Sequence, residues 1–327
     1  MPFILRRLVF YVVAAWVALT ANFFLPRLVP GNAVQAIMSR FPDLKPATAR
    51  VLEIELGIGN QGSLWSQYWT YLGNVARFNF GTDVAQYPSS VSSILMQSVP
   101  WTLVLVGVST VIAFIVGTGL GILAGWRSGG WLDRSLPSMM FFQAIPYFFL
   151  ALVLLQIFAV TISVFPESGA FDGQSVSPGW NLPFIANAAQ HALLPAITIV
   201  VTSVAGWMLQ MRNLMVTTVG EDYVLAAQAK GLSNRRVIGA YAARNALLPQ
   251  LQGFGLALGF VVSGALVMEI VFSYPGVGKQ LLNAVAGHDY PLAQAIFLFI
   301  TFAVLLANLI VDLLIVAIDP RARAREA

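Results

Sequence analysis

The stretch DYVLAAQAKGLSNRRVIGAYAARNALLP, Asp222 to Pro249, decides how this chain is read. It gathers Lys230, Arg235, Arg236 and Arg244 around Gly231 in a sequence that is otherwise mostly apolar. Glu221 and Asp222 stand where a helix start favours acidic side chains, because its first N–H groups are unpaired and its dipole is positive. Val224, Leu225, Ala226, Ala227 and Ala229 supply the apolar positions, and Lys230 complements the far end. Gly231 fits the left-handed residue that closes helices, having no Cβ to clash. Ser233 is placed to cap a second helix. That helix is expected to run through Val237, Ile238 and Tyr241 to Leu247 and to stop at Pro249.

The first of these helices is short and alanine-rich. Isolated helices below about 12–15 residues are marginal in water, so contact is expected to hold this one. Two supports stay open on physical grounds: the groove of a partner protein, or the inner leaflet with the arginines on lipid phosphates.

Outward from this segment, composition sets the class. Of 327 residues, 58% are hydrophobic and 10% charged, against about 25% charged in soluble domains. This is the composition of an integral membrane protein, and with its spans read as helices the expected fold is all-α. Cysteine is absent, which excludes a disulfide framework, a thiolate nucleophile and a Cys-ligated metal.

Spans of roughly 20 apolar residues are expected at Leu8–Val29, Trp101–Gly125, Leu136–Phe165, Leu193–Met211, Leu251–Phe272 and Leu292–Ile318, six in all. Pro146 is expected to kink the third. Residues 1–327 then form one transmembrane domain: first span 8–29, outer loop 30–100, five-helix core 101–318, cytoplasmic loop 212–250 and tail 319–327. With the N-terminus inside, the cytoplasmic segments hold Arg6, Arg7, Arg127, Arg134, Arg212, Lys230, Arg235, Arg236, Arg244, Arg321, Arg323 and Arg325. The outside holds Arg27, Arg40, Lys45, Arg50, Arg77 and Lys279, so 12 basic residues face 6. Both termini are thus expected in the cytoplasm, and topology explains the net charge of +4 without nucleic acid. The apolar run after Arg6-Arg7 is longer than the core of a signal peptide, about 7–15 residues, and reaches Phe23 and Phe24 with no convincing cleavage site, so it reads as an uncleaved span.

Outside the spans, Trp65, Tyr68, Trp69 and Tyr71 read first as an interfacial aromatic belt and second as a surface for an extracytoplasmic partner. The outer loop Pro166 to Gln190 holds Glu167 and Asp172 but no Lys or Arg. Gly276-Val277-Gly278-Lys279 resembles part of a phosphate loop, but Ser273 and Gln280 stand where that motif needs Gly and Ser or Thr, so it reads as a turn. His191 and His288 sit near the outer face in no metal-ligand spacing, and a structural role is expected for His191. No nucleophile has a base in register. Glu269 and Asp312 lie towards span ends rather than centres, which argues against ion coupling by a secondary transporter or channel. Gln143, Gln156, Gln210 and Asn308 either line a solute path or bridge helices by hydrogen bonds. Gly117, Gly121 and Gly125, and also Gly255 and Gly259, have the spacing of close helix packing.

The opening stretch resembles the EAA loop of ABC-importer permeases, in the version found in oligopeptide, dipeptide and nickel permeases. The matching residues are Asp222, Tyr223, Val224, Ala227, Ala229, Lys230, Gly231 and Leu232, then Arg236, then Arg244, Asn245, Ala246, Leu247, Leu248 and Pro249. The likeness covers nearly the whole chain and is to the B-type subunit. It includes Arg6-Arg7, Pro30-Gly31, the Gly81 region, Pro100-Trp101-Thr102-Leu103, Asp133, Pro146, His191, Leu194, Pro195 and Arg212. Phe272, Pro275, Gly276, Gly278, Asp289, Tyr290 and Pro291 continue it. Leu225 replaces the glutamate that names the motif, Leu209 an arginine at the end of the fourth span, and His288 an arginine before Asp289.

The resemblance implies a type I ABC-importer permease in the prokaryotic cytoplasmic (inner) membrane, with six helices per subunit and no catalysis or cofactor of its own. Its implied partners are a homologous C-type permease, two cytoplasmic ABC ATPases carrying ATP and Mg, an extracytoplasmic solute-binding protein and the lipid bilayer. It also implies that Asp222, Tyr223, Ala226, Ala227, Lys230, Gly231, Leu232, Arg244, Asn245 and Pro249 form the segment that couples to the ATPases. Di- or oligopeptides head the expected solutes, ahead of nickel chelates and oligosaccharides.

Overall fold

A computed structural model describes residues 3–28, 63–83, 89–264, 266–287 and 289–318. Arg40, Lys45, Arg50, Pro30-Gly31, His288 and the tail with Arg321, Arg323 and Arg325 lie outside them. The chain divides into two units, one drawn from residues 1–102 and 275–305, the other from 103–274 and 306–327.

In the first unit, α1 (Phe3–Leu28) meets α2 (Leu64–Ala76), whose N-terminus is capped by Ser63 accepting from the Ser66 N–H. Buried Asn22 of α1 donates to the Tyr71 hydroxyl and to the Gln294 carbonyl, both at 3.1 Å, and the Gln294 amide returns a bond to the Asn22 carbonyl at 2.8 Å. Phe23 packs edge-on against Tyr68 at 5.2 Å. The aromatic group of α2 is therefore divided: Tyr68 and Tyr71 bind α1, while Trp65 and Trp69 are exposed. Gly276 is the N-cap residue of α10 (Val277–Ala286), not part of an isolated turn, and the Val277 N–H donates to the Thr102 hydroxyl at 2.9 Å.

The second unit is built on α3 (Val91–Trp126), of which it holds the part from Leu103, and α6 (Leu182–Val219). At 38 residues α6 is about 57 Å long, well beyond a hydrocarbon core of about 30 Å. It outruns the expected Leu193–Met211 because Asn181 caps it upstream, accepting from the Phe184 N–H at 2.9 Å. α3 likewise begins ten residues before the expected span, inside the stretch read as outer loop. The glycine spacing has its expected purpose. A Cβ on Gly117 would lie 2.5 Å from that of Trp207, one on Gly121 2.6 Å from the Met208 carbonyl oxygen, and one on Gly125 2.5 Å from the Met215 Cβ. Only glycine lets these two backbones come so close. A Cβ on Gly255 would similarly meet Val311 at 2.5 Å.

The third expected span is broken rather than kinked. α4 (Trp131–Ala144) and α5 (Tyr147–Thr161) are bent 88° apart. Ile145 before the proline is extended, at φ −73 and ψ 127, because the proline ring excludes it from the helical region. Conversely, Pro249 does not end its helix: α8 runs unbroken over 234–264 and is followed by α9 (Leu266–Val271). Prolines are tolerated within membrane helices where neighbouring groups take up the freed carbonyl. The final helix is α11 (Tyr290–Ile318).

Among the described residues, α3, α6 and parts of α1 and α11 are long and apolar enough to cross a membrane, and the bent pair makes a fifth crossing if counted as one. The fifth expected span, residues 251–272, is helical over 251–264 and 266–271, with residue 265 outside the described residues.

Candidate functional site

The chain leaves α6 at Gly220 and enters α7 (Asp222–Ala229) with Glu221 as N-cap. Val224 and Ala227, three apart on one edge, are its two buried residues. They join Met211 and Met215 of α6 and Val237, Ala242, Ala243 and Ala246 of α8 in one apolar cluster, with Leu232 packed against it. Small residues on both helices let α7 lie close. One face of the helix is therefore held by its own chain.

Its end is a Schellman turn. The Gly231 N–H donates to the Gln228 carbonyl at 2.9 Å, the Leu232 N–H reaches back to Ala227 at 3.3 Å, and Gly231 has φ +72. Leu232 then folds onto the cluster that contains Ala227, the apolar contact this motif usually carries. Asp222, Tyr223, Leu225, Ala226, Gln228, Ala229 and Lys230 stay exposed. α7 thus presents a small-residue surface with Tyr223 and Leu225 projecting and a single cation, Lys230, at its tip.

Residues 237–243 of α8 form a π turn, and Asn245 donates to the Tyr241 carbonyl at 3.0 Å. Arg244, Asn245 and Pro249 are exposed on α8 rather than on α7. Of the ten expected coupling residues, Ala227 and Leu232 anchor the helix from inside. Asp222, Tyr223, Ala226, Lys230 and Gly231 form its open side.

Close to this cluster, Arg212 of α6 grips Asp133 in the first turn of α4. The Asp133 carboxylate also accepts from the Gly129 N–H at 2.8 Å, and Arg212 reaches the Ser128 hydroxyl at 3.4 Å.

The four amide residues separate. Gln143 at the end of α4 packs on Gly206, where an added Cβ would lie 2.9 Å from its Nε2. Gln210 packs on Gly253 in the same way, at 3.0 Å. Gln156 is engaged with Thr161 in its own helix, and Asn308 is half-buried with a partner of its own. Sequence reasoning missed Gln250. It is fully buried, and its Nε2 donates to the Thr118 hydroxyl at 3.2 Å and the Trp207 carbonyl at 3.1 Å. The only signal was a glutamine directly after Pro249 in an otherwise apolar run. His191 hydrogen-bonds through Nδ1 to the Asn187 carbonyl at 2.9 Å, one turn back, which is a structural role. Asn187 also receives the Asp172 N–H at 2.8 Å. The Gln174 N–H, chiefly, holds the Asp172 carboxyl below the usual carboxylate range. Among the described residues no group of His, Asp and Glu is arranged to hold a metal.

The site is thus a short exposed helix clamped between two longer helices of a multi-helix membrane chain. The chain belongs to the family of binding-protein-dependent transport system inner membrane components, whose model matches residues 117–324 and so includes the whole α7 site. It is 31% identical to the di/tripeptide transport system permease protein DppB of Pseudomonas aeruginosa (strain UCBPP-PA14) over 99% of each chain. It is 30% identical to the oligopeptide transport system permease protein AppB of Bacillus subtilis (strain 168), over 92% of each. The glutathione transport system permease protein GsiC of Escherichia coli (strain K12) is 31% identical over 98% of each.

Proposed function

We propose that this chain is one of two permease subunits of an ATP-driven importer for di- or oligopeptides, and that α7 is the lever by which ATPases move it. The observation that carries this reading is the division of α7: Val224 and Ala227 fix it to α6 and α8, while Tyr223, Leu225, Ala226 and Lys230 are left open. A groove laid over that side would transmit its motion through Met211 and Met215 directly into α6. The bilayer is the alternative support for such a helix, but Leu225 and Tyr223 are its only large exposed apolar side chains, a small anchor for a leaflet.

In this reading the chain crosses the inner membrane six times with both termini in the cytoplasm. ATP and Mg are bound by two ATPase subunits, and a solute-binding protein delivers the solute from outside to a pore shared with a C-type permease. The peptide class rests on the three relatives, each named for a peptide solute. Reconstitution tests it. Uptake in liposomes is expected only with the second permease, the ATPases, the binding protein and ATP. Uptake by this chain alone would make it a secondary transporter or channel instead.

A further inference from the structure

Gln210, on the membrane-long α6, and Gln143, at the end of α4 in the bent pair, are exposed side chains, and neither makes a hydrogen bond among the described residues. An unsatisfied amide facing hydrocarbon costs several kcal/mol, so this face is turned to something polar. The two amides come from different helices and are drawn into one layer by Gly206 and Gly253, whose missing side chains leave room for them. Gly206 and Gln210 are one turn apart on α6, with Trp207 between them. Trp207 meets Phe114 edge-on at 5.2 Å and Phe254 at 6.1 Å.

The layer is neutral. The nearest charge on α6 is Arg212, already committed to Asp133. A charged chelate would find no counter-charge here. Trp207 is half-buried between two phenylalanines. What the layer does offer is carboxamides, each with two N–H donors and one carbonyl acceptor, the complement of a peptide group.

We infer that Gln143 and Gln210 form a backbone-reading layer of the solute path, hydrogen-bonding the peptide groups of a passing solute whatever its side chains. This rests on the importer reading above and adds the chemistry by which the path recognises its solute. Gln210 directly precedes Met211, so the layer lies next to the cluster that holds α7 and moves with it.

The absence of cysteine allows single Gln143→Cys, Gln210→Cys and Ile115→Cys chains to be probed in the complete importer with a small water-soluble thiol reagent. Ile115 is exposed on an apolar face and serves as the lipid control. Both Gln positions are expected to react, Ile115→Cys is not, and trialanine during turnover slows modification at both about tenfold. Gln143→Leu and Gln210→Leu are each expected to lower trialanine uptake about tenfold, the worth of one hydrogen bond of about 1.4 kcal/mol, with the assembled complex purified in wild-type yield. Wild-type uptake by both Leu variants overturns the inference. So does cross-linking of both Cys positions to the second permease without reagent access, which makes the layer a subunit interface. Protection by maltotriose but not trialanine overturns the peptide chemistry. If the wild-type assembly takes up no trialanine at all, the peptide-importer reading itself fails, a result distinct from all of these.

Discussion

The Arg212 guanidinium holds the Asp133 carboxylate in a two-pronged bond, Nε to Oδ1 at 2.8 Å and Nη2 to Oδ2 at 3.0 Å. It ties the first turn of α4 to α6 one residue beyond Met211, the first methionine of the α7 cluster. The side chains are only 27% and 12% exposed, so solvent screens the pair weakly. We expect Asp133→Ala to lower the thermal midpoint of the detergent-purified complex, by about 1–3 kcal/mol of stability, because Arg212 is left unpaired. The Asp133→Ala/Arg212→Ala double variant should be less destabilised than the two single effects added together. Additive losses would show that the bond is decorative.

Gly231 is held at φ +72, and a Cβ there would meet nothing within 4 Å. Any substitution therefore acts through the backbone. Gly231→Val is expected to cost about 1–2 kcal/mol locally, to loosen the turn after α7 and to abolish ATP-coupled uptake without preventing insertion. Gly231→Asn, which tolerates the left-handed region, should retain much of the activity. Equal uptake by the Val variant and the wild type would contradict the coupling assignment.

The glycines of α3 make a controlled pair. Gly121 faces the Met208 carbonyl oxygen and the Met211 Cβ, both 2.6 Å from where its own Cβ would be, whereas Gly119 faces open space. Gly121→Ala is expected to cut folded yield and thermal stability sharply by forcing α3 and α6 apart. Gly119→Ala should be neutral or slightly stabilising, since alanine is the better helix former by up to about 1 kcal/mol. Thermal scans of the two variants side by side decide this.

Gln250 is buried, and its Oε1 accepts no hydrogen bond among the described residues. Replacing it together with Thr118 by apolar groups of similar size, as Gln250→Met with Thr118→Val, is expected to cost less than about 1 kcal/mol. Removing only one partner should cost about 1–3 kcal/mol. Stability of the three variants in detergent is the readout.

The α7 region was legible in the sequence because its signals are local: acidic residues at the start, a glycine at the left-handed end and alanine at close-packing positions. The α3 glycines were legible for the same reason, since spacing alone determines a helix face. What the sequence hid was non-local or competitive. Pro146 broke its span while Pro249 was absorbed into α8, and the ring chemistry of the two residues is identical. The outcome rests on the surrounding structure: Ile145 yields to an extended backbone at one site, and a continuous helix persists through the other. The separation of Gln143 and Gln210 from Gln156 and Asn308 was equally hidden, because it depends on which amide another helix's glycine happens to face.

In the assembled importer the open side of α7 is expected to be covered by an ATPase. Ala226 is exposed on that side and Ala227 is buried against the chain's own cluster. In the otherwise cysteine-free chain, Ala226→Cys is expected to react quickly with a maleimide when the permease is purified alone and to be protected in the complex with its ATPases. Ala227→Cys should be slow in both. Equal reactivity of Ala226→Cys with and without the ATPases, or labelling of it only from outside intact cells, would contradict the account.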